Sequence, residues 1–159
     1  RVFNTAEENI LKLNSSQKEH IFKETDSKQE LINFYKLHNL TKEDVYKDKR
    51  GFLTITKSGI EKIQNQNNIK VTFDVIVCTL DNVVIKATSL RYDSSIDDFI
   101  PLIETFGSAS KNNCRQHFLV EIAEKRALAR CIIKTMKWTN IKGEDEMDHQ
   151  PNETLNKLK

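Results

Sequence analysis

The chain has 159 residues, 38% of them hydrophobic and 30% charged, with four Gly, two Pro and a net charge of +2. That supplies one modest core with appendages in a soluble, helix-rich chain that makes few tight turns. No apolar run approaches the roughly 18 residues of a membrane span, and three cysteines without CxxC spacing argue against a disulfide scaffold or a zinc site, so a reduced, cytoplasmic protein away from membranes is expected.

In chain order, residues 1–50 read as a helical N-terminal extension. Ser27-Lys28-Gln29-Glu30 is a capping box, and Leu31, Ile32, Phe34, Tyr35 and Leu37 behind it give one apolar face. Asn14 to Gln17 interrupts the segment before it. Thr41-Lys42-Glu43-Asp44 starts a short helical turn, and the charged run Lys47 to Arg50 before Gly51 reads as a solvated connection.

From Gly51 the character changes. Phe52 to Thr56 is a short apolar lead-in, and Lys57 to Gln66 has helical spacing through Ile60 and Ile63 until Asn65 to Asn68 stops it. Ile69 to Val77 begins with strict alternation, the mark of a half-buried strand, and Asp81-Asn82 turns it into a second strand over Val83 to Leu90. Asp93 to Asp98 is a polar loop. Ile100 to Ser110 supplies a third strand, with Pro101 confined to its start or to an edge. Ser110, Asn112 or Asn113 then caps a long helix predicted over Lys111 to Trp138. The expected fold class is α+β: a curved antiparallel three-stranded sheet packed on that helix, a β-β-β-α core over 51–138, followed by an acidic, mobile tail over 139–159.

The long helix holds the basicity. Residues 111–138 carry seven Lys or Arg against two Asp or Glu, while the remainder of the chain is slightly acidic. Arg126, Arg130 and Lys134 follow one another at i, i+4 and i+8, with Lys137 close beside them and no acidic residue four positions from any of the first three. Such a stripe, flanked by apolar Ile122, Ala129, Ile132, Ile133 and Met136, suits a line of phosphates. Each phosphate neutralised on a single strand adds roughly 0.7 to the salt slope. Three or four contacts per subunit bind weakly, so the idea works best in an oligomer. Tyr92 and Phe106 are candidates for base stacking, whereas Phe73 and Phe118 read as core. Phosphate-loop, dinucleotide, HExxH and GxSxG motifs are all missing from the sequence. The pairs Asp97-Asp98 and Glu121/Glu124 read as solvation, and the four histidines are scattered. Neither an enzyme, a metal nor a cofactor is expected.

One set of residues resembles a known family. Phe52-Leu53-Thr54 leads into a short helix and then a strand pair. Glu104-Thr105-Phe106-Gly107-Ser108-Ala109-Ser110 follows, then Val120-Glu121-Ile122-Ala123-Glu124-Lys125-Arg126-Ala127-Leu128-Ala129-Arg130. Together they are similar to the core of the single-strand annealing recombinases, the superfamily of Rad-fifty-two, Erf and Red-beta, over about residues 51–138. The resemblance implies a β-β-β-α core that assembles into rings or filaments and anneals complementary strands without ATP, with single-stranded DNA in a basic groove. It also implies a role in homologous recombination and repair, often phage-encoded, with a single-strand-binding protein or nuclease as further partner. By position it assigns nucleic-acid binding to Lys134 and Lys137, with Arg126 and Arg130 one and two turns earlier. Lys111 and Arg115 at the helix start would assist. The family's helix ends in Leu-Arg or a Gly-containing turn, whereas this one ends Met136-Lys137-Trp138. Two alternatives stand beside this reading. One is a double-stranded-RNA-binding module, which shares the order helix, three strands, helix. The other is a protein-interaction domain whose stripe meets an acidic partner.

Overall fold

The structure, a computed structural model, describes residues 28–144. The chain divides into two compact units between Asn39 and Leu40. Of the first unit, helix α1 (residues 28–38) is described. Leu31, Phe34, Tyr35 and His38 are its half-buried positions, a stripe at spacings of three, four and seven. The rings of Phe34 and His38 lie 4.6 Å apart, and burial holds the His38 pKa below its ordinary value. Ile32 and Leu37, expected on the apolar face, fall off this stripe and are exposed. Ser27, the interruption at Asn14 to Gln17 and the tail beyond Glu144 lie outside the described residues.

The second unit starts with a turn. Thr41 accepts backbone bonds from Asp44 and Val45, and the Asp44 carboxylate reaches back to the Thr41 N–H and hydroxyl, both at 2.9 Å. This forms the expected single turn, which then runs into a strand that sequence reading missed. β1 (Val45–Lys47) and β2 (Leu53–Ile55) form an antiparallel hairpin. The charged run between them is its turn: the Asp48 carboxylate accepts the N–H groups of Arg50 and Phe52, and Gly51 takes a positive φ of 85°, a conformation open to glycine at little cost. β6 (Ile141–Gly143) pairs with β2 in parallel. Both ends of the expected core therefore shift. The compact unit takes in β1 ahead of the boundary expected at 50/51, and β6 lies past the one expected at 138/139. Three-residue strands carry too few alternations to show a period, which is why both were illegible.

Helix α2 (Lys57–Gln66) starts at Thr56, whose hydroxyl accepts the Gly59 N–H, and buries Ile60 and Ile63. The large sheet follows as an antiparallel meander, β3 (Ile69–Cys78), β4 (Asn82–Asp93) and β5 (Asp98–Ser110), in spatial order β3-β4-β5. Helix α3 (Leu119–Thr135) lies across β4 and β5 and barely reaches β3. Val83, Ile85 and Ala87 of β4, Ala109 of β5, and Leu119, Ile122, Ala123, Ala127 and Cys131 of α3 form the core. Fully burying each larger side chain among them contributes about 1.5–3 kcal/mol. The α+β class and the β-β-β-α order are thus as the sequence indicates. The helix is shorter, however: residues 111–118 are turns and bends, Phe118 is its N-cap, and no side chain caps it. Asn113, proposed as a cap, instead bonds the Ser110 N–H at 2.8 Å and terminates β5.

Candidate nucleic-acid interface

The junction of α3 and β5 is built by small residues. A Cβ on Gly107 would overlap the Ala123 carbonyl oxygen and the Ala127 nitrogen, so only glycine lets the helix backbone approach this closely. The Thr105 hydroxyl donates to the Ala127 carbonyl at 2.9 Å within the same contact. Two arginines bracket it. Arg126 Nη1 donates to the Ser108 carbonyl at 2.7 Å and to Asn113 Oδ1 at 3.1 Å, while its Nη2 reaches the Asn113 carbonyl at 3.1 Å. Arg130 Nη1 donates to the Phe106 carbonyl at 2.9 Å. Four helical residues rise about 6 Å and two strand residues about 6.7 Å, so arginines at i and i+4 match carbonyls at j and j−2 when the elements run antiparallel. The run carrying the family resemblance is therefore the run that fastens α3 to β5.

The six cations expected to line a binding track are separated by this arrangement. Arg126 is 1% exposed; its guanidinium faces inward, and it leaves the proposed surface. Arg130 is half-buried against β5. Lys134 and Lys137 are exposed at the C-terminal end of α3 and make no ion pair among the described residues. Lys111 and Arg115 lie beyond the other end of the helix, about 25 Å away at 1.5 Å per residue. Of these, Lys111 pairs with Asp81 at the β3–β4 turn, and both side chains stay largely exposed. The expected continuous ladder is thus two separated pairs of exposed cations, Lys111 of one pair being bound to Asp81, with one half-buried arginine between them.

Lys137 has a second role. It is the residue after the C-cap, with φ 58°, and the N–H groups of Lys137 and Trp138 return to the carbonyls of Lys134 and Ile133. This is a Schellman ending, a place where glycine is preferred. The glycine-type turn that ends the resembled helix is formed here by a lysine.

Sequence reading missed part of the outer face of the large sheet, the face turned away from α3. Register places Lys70, Lys86, Tyr92, Phe99 and Phe106 on it. Lys70 lies 5.0 Å from the Phe99 ring centroid, and Tyr92 meets Phe99 edge-on at 5.5 Å. The Tyr92 hydroxyl donates to the Asp97 carboxylate, which holds its pKa above the ordinary value. Phe106, half exposed, shares this face and offers its carbonyl to Arg130. Alternation groups Lys70 with Thr72 and Asp74 within β3, but the bulge between Val75 and Val77 and the one between Ser89 and Leu90 break the count that would join them to Tyr92 and Phe99. Lys86 lies between the carboxylates of Asp74 (3.7 Å) and Glu104 (3.4 Å).

Cys131 is buried, which pushes its thiol pKa up, and it serves as core. An open groove of about 270 Å³ at the start of α3 is lined by Lys57, Phe118, Glu121, Glu124 and Lys125 among others; its carboxylates and ammonium groups offset one another. Phe118, expected in the core, is exposed at its rim. No helix among the described residues is long and apolar enough to cross a membrane. Compared with protein-family models, curated proteins and solved structures, the chain matches none of them.

Proposed function

We propose that the chain binds single-stranded DNA and anneals complementary strands without ATP, as an oligomer acting in recombination. The observation that carries the reading is the β5 edge. There Arg130, half-buried, donates to the main-chain carbonyl of Phe106, whose half-exposed ring lies on the outer face of the same edge strand, and Lys134 and Lys137 extend the positive charge to the end of α3 and just past it. A phosphate-binding cation beside a stackable ring is what sequence-independent binding of a single strand requires. Support also comes from the resembled residues, since Gly107, Ala123, Ala127, Arg126 and Arg130 act together to hold the β-β-β-α unit.

The test removes charge without touching the fold. Lys134→Glu combined with Lys137→Gly takes away two cations, and the glycine suits the left-handed turn that Lys137 occupies. Fluorescence anisotropy with a labelled oligonucleotide at low salt should show at least tenfold weaker binding and a salt slope lower by about 1.4, with thermal stability unchanged or raised. Unchanged affinity would sink the assignment.

A protein-interaction domain is the second reading, and the burial of Arg126 favours it by removing a cation from the track. The duplex-RNA alternative fits the order α2-β3-β4-β5-α3 but needs lysines at the start of the last helix, where α3 carries Glu121 instead. Duplex RNA competing better than single-stranded DNA would reverse that ranking.

A further inference from the structure

The two edges of the large sheet differ. Along β5, the arginines of α3 occupy the carbonyls of Phe106 and Ser108, and Asn113 takes the Ser110 N–H. The other half of that strand carries Pro101, which has no N–H, and an irregularity between Ser89 and Leu90 of its partner register. Proline, bulges and covering side chains are the usual means of closing an edge. β3 lacks them from Ile69 to Val75; its bulge comes only between Val75 and Val77.

Alternation then shows which groups β3 leaves open. Phe106, Ser108 and Ser110 point away from β4, so Thr105, Gly107 and Ala109 bond to it, pairing with Ala87, Ile85 and Val83. The even residues of β4 therefore face β3 and bond Lys70, Thr72 and Asp74. The N–H and C=O groups of Ile69, Val71, Phe73 and Val75 point outward, and among the described residues nothing takes them. Side chains tell the same story. Phe73 and Val75 are on the α3 side of the sheet, yet α3 stops short of them and they are 39% and 62% exposed.

We propose that β3 pairs antiparallel with β3 of a second copy of this chain, centred on Thr72, giving a two-fold dimer with a continuous six-stranded sheet. The argument is self-complementarity. In that register Val71 meets Phe73 of the second copy and Ile69 meets Val75, each as a hydrogen-bonded pair with apolar side chains on one face. On the other face Lys70 stands opposite Asp74 of the second copy, twice by symmetry, in the more closely spaced non-hydrogen-bonded positions. Among the described residues Lys70 lies against the Phe99 ring and makes no ion pair, and Asp74 is 64% exposed with the Lys86 ammonium 3.7 Å away. A parallel pairing, or a shift by one residue, would put like charges or unlike faces together. The dimer stands apart from the nucleic-acid reading, since Lys134 and Lys137 lie at the C-terminal end of α3 and in the turn after it.

Sedimentation velocity of the full chain over a micromolar dilution series tests this. The wild type should form a reversible dimer. Phe73→Pro removes an outward N–H and leaves the ladder to β4 intact, and should give a monomer with an unchanged circular dichroism spectrum. Asp74→Lys and Lys70→Asp should each weaken the dimer roughly tenfold through two like-charge oppositions, and the double reversal should restore it. A wild-type monomer at every concentration overturns the proposal. So does an assembly indifferent to all of these changes, or single reversals that the double does not rescue; should Phe73→Pro fail to fold, the charge series decides alone.

Discussion

Arg126 and Lys134 differ by two helical turns on one stripe, and their surroundings give them opposite roles. The Arg126 guanidinium donates to two carbonyl oxygens and an amide oxygen in the interior, so truncation orphans buried acceptors as well as losing packing. Arg126→Ala should destabilise the chain by about 3 kcal/mol. Lysine in its place keeps the charge but cannot span the carbonyls of Ser108 and Asn113 together, so it should recover only part. Lys134→Ala, at an exposed position, should stay within about 0.5 kcal/mol. Urea unfolding followed by circular dichroism compares the three. Equal losses for Arg126→Ala and Lys134→Ala would mean that the guanidinium is not held as described.

At the scale of elements, the helix–strand junction depends on one missing methyl group. Gly107→Ala places a Cβ against helix backbone, which cannot swing aside as a side-chain tip does. α3 would have to lift off β5, taking the Thr105–Ala127 bond and both arginine bonds with it. A loss of about 3 kcal/mol or more is expected, read as a lowered unfolding midpoint. Ser108→Ala, one residue on and facing outward, should be close to neutral. How much of this was legible follows from what each element writes into its residues. β3, β4 and α2 were readable because alternation and 3.6-residue spacing persist over many positions in Ile69–Cys78, Asn82–Asp93 and Lys57–Gln66. β1 and β6 were not, being too short for a period. Helical spacing put Arg126, Arg130 and Lys134 on successive turns of α3. Periodicity, however, places side chains only on a helix face; it does not say what that face meets. Arg126 and Arg130 meet the edge of β5, and a basic residue reads alike whether its partner is a phosphate or a neighbouring strand's carbonyl. Gly107, Ala123 and Ala127, whose small side chains permit the close approach, entered the sequence reading only within the runs that carry the family resemblance.

At the scale of the whole molecule, the small sheet and α2 are joined through one buried carboxylate. Asp44 is 1% exposed and accepts from Lys62 at 2.7 Å, Ser58 at 2.9 Å, and the N–H and hydroxyl of Thr41. Burial alone would raise its pKa; the bonds from Lys62, Thr41 and Ser58 outweigh that and lower it from 3.8 to about 2. Because the folded value lies below the unfolded one, the carboxylate stabilises the fold fully above about pH 4. That contribution is lost as the pH falls from 3.8 towards 2. At about 1.4 kcal/mol per pKa unit, trimmed because Lys62 is partly exposed to water, it amounts to about 1–2 kcal/mol near neutrality. Asp44→Asn should therefore be less stable than the wild type at pH 7, and the gap should close on acidification until the two chains coincide near pH 2. Urea midpoints measured across that range decide the matter. A gap that stays constant would mean that Asp44 acts by shape and neutral hydrogen bonding, and that the charge shared with Lys62 does not hold β1 to α2.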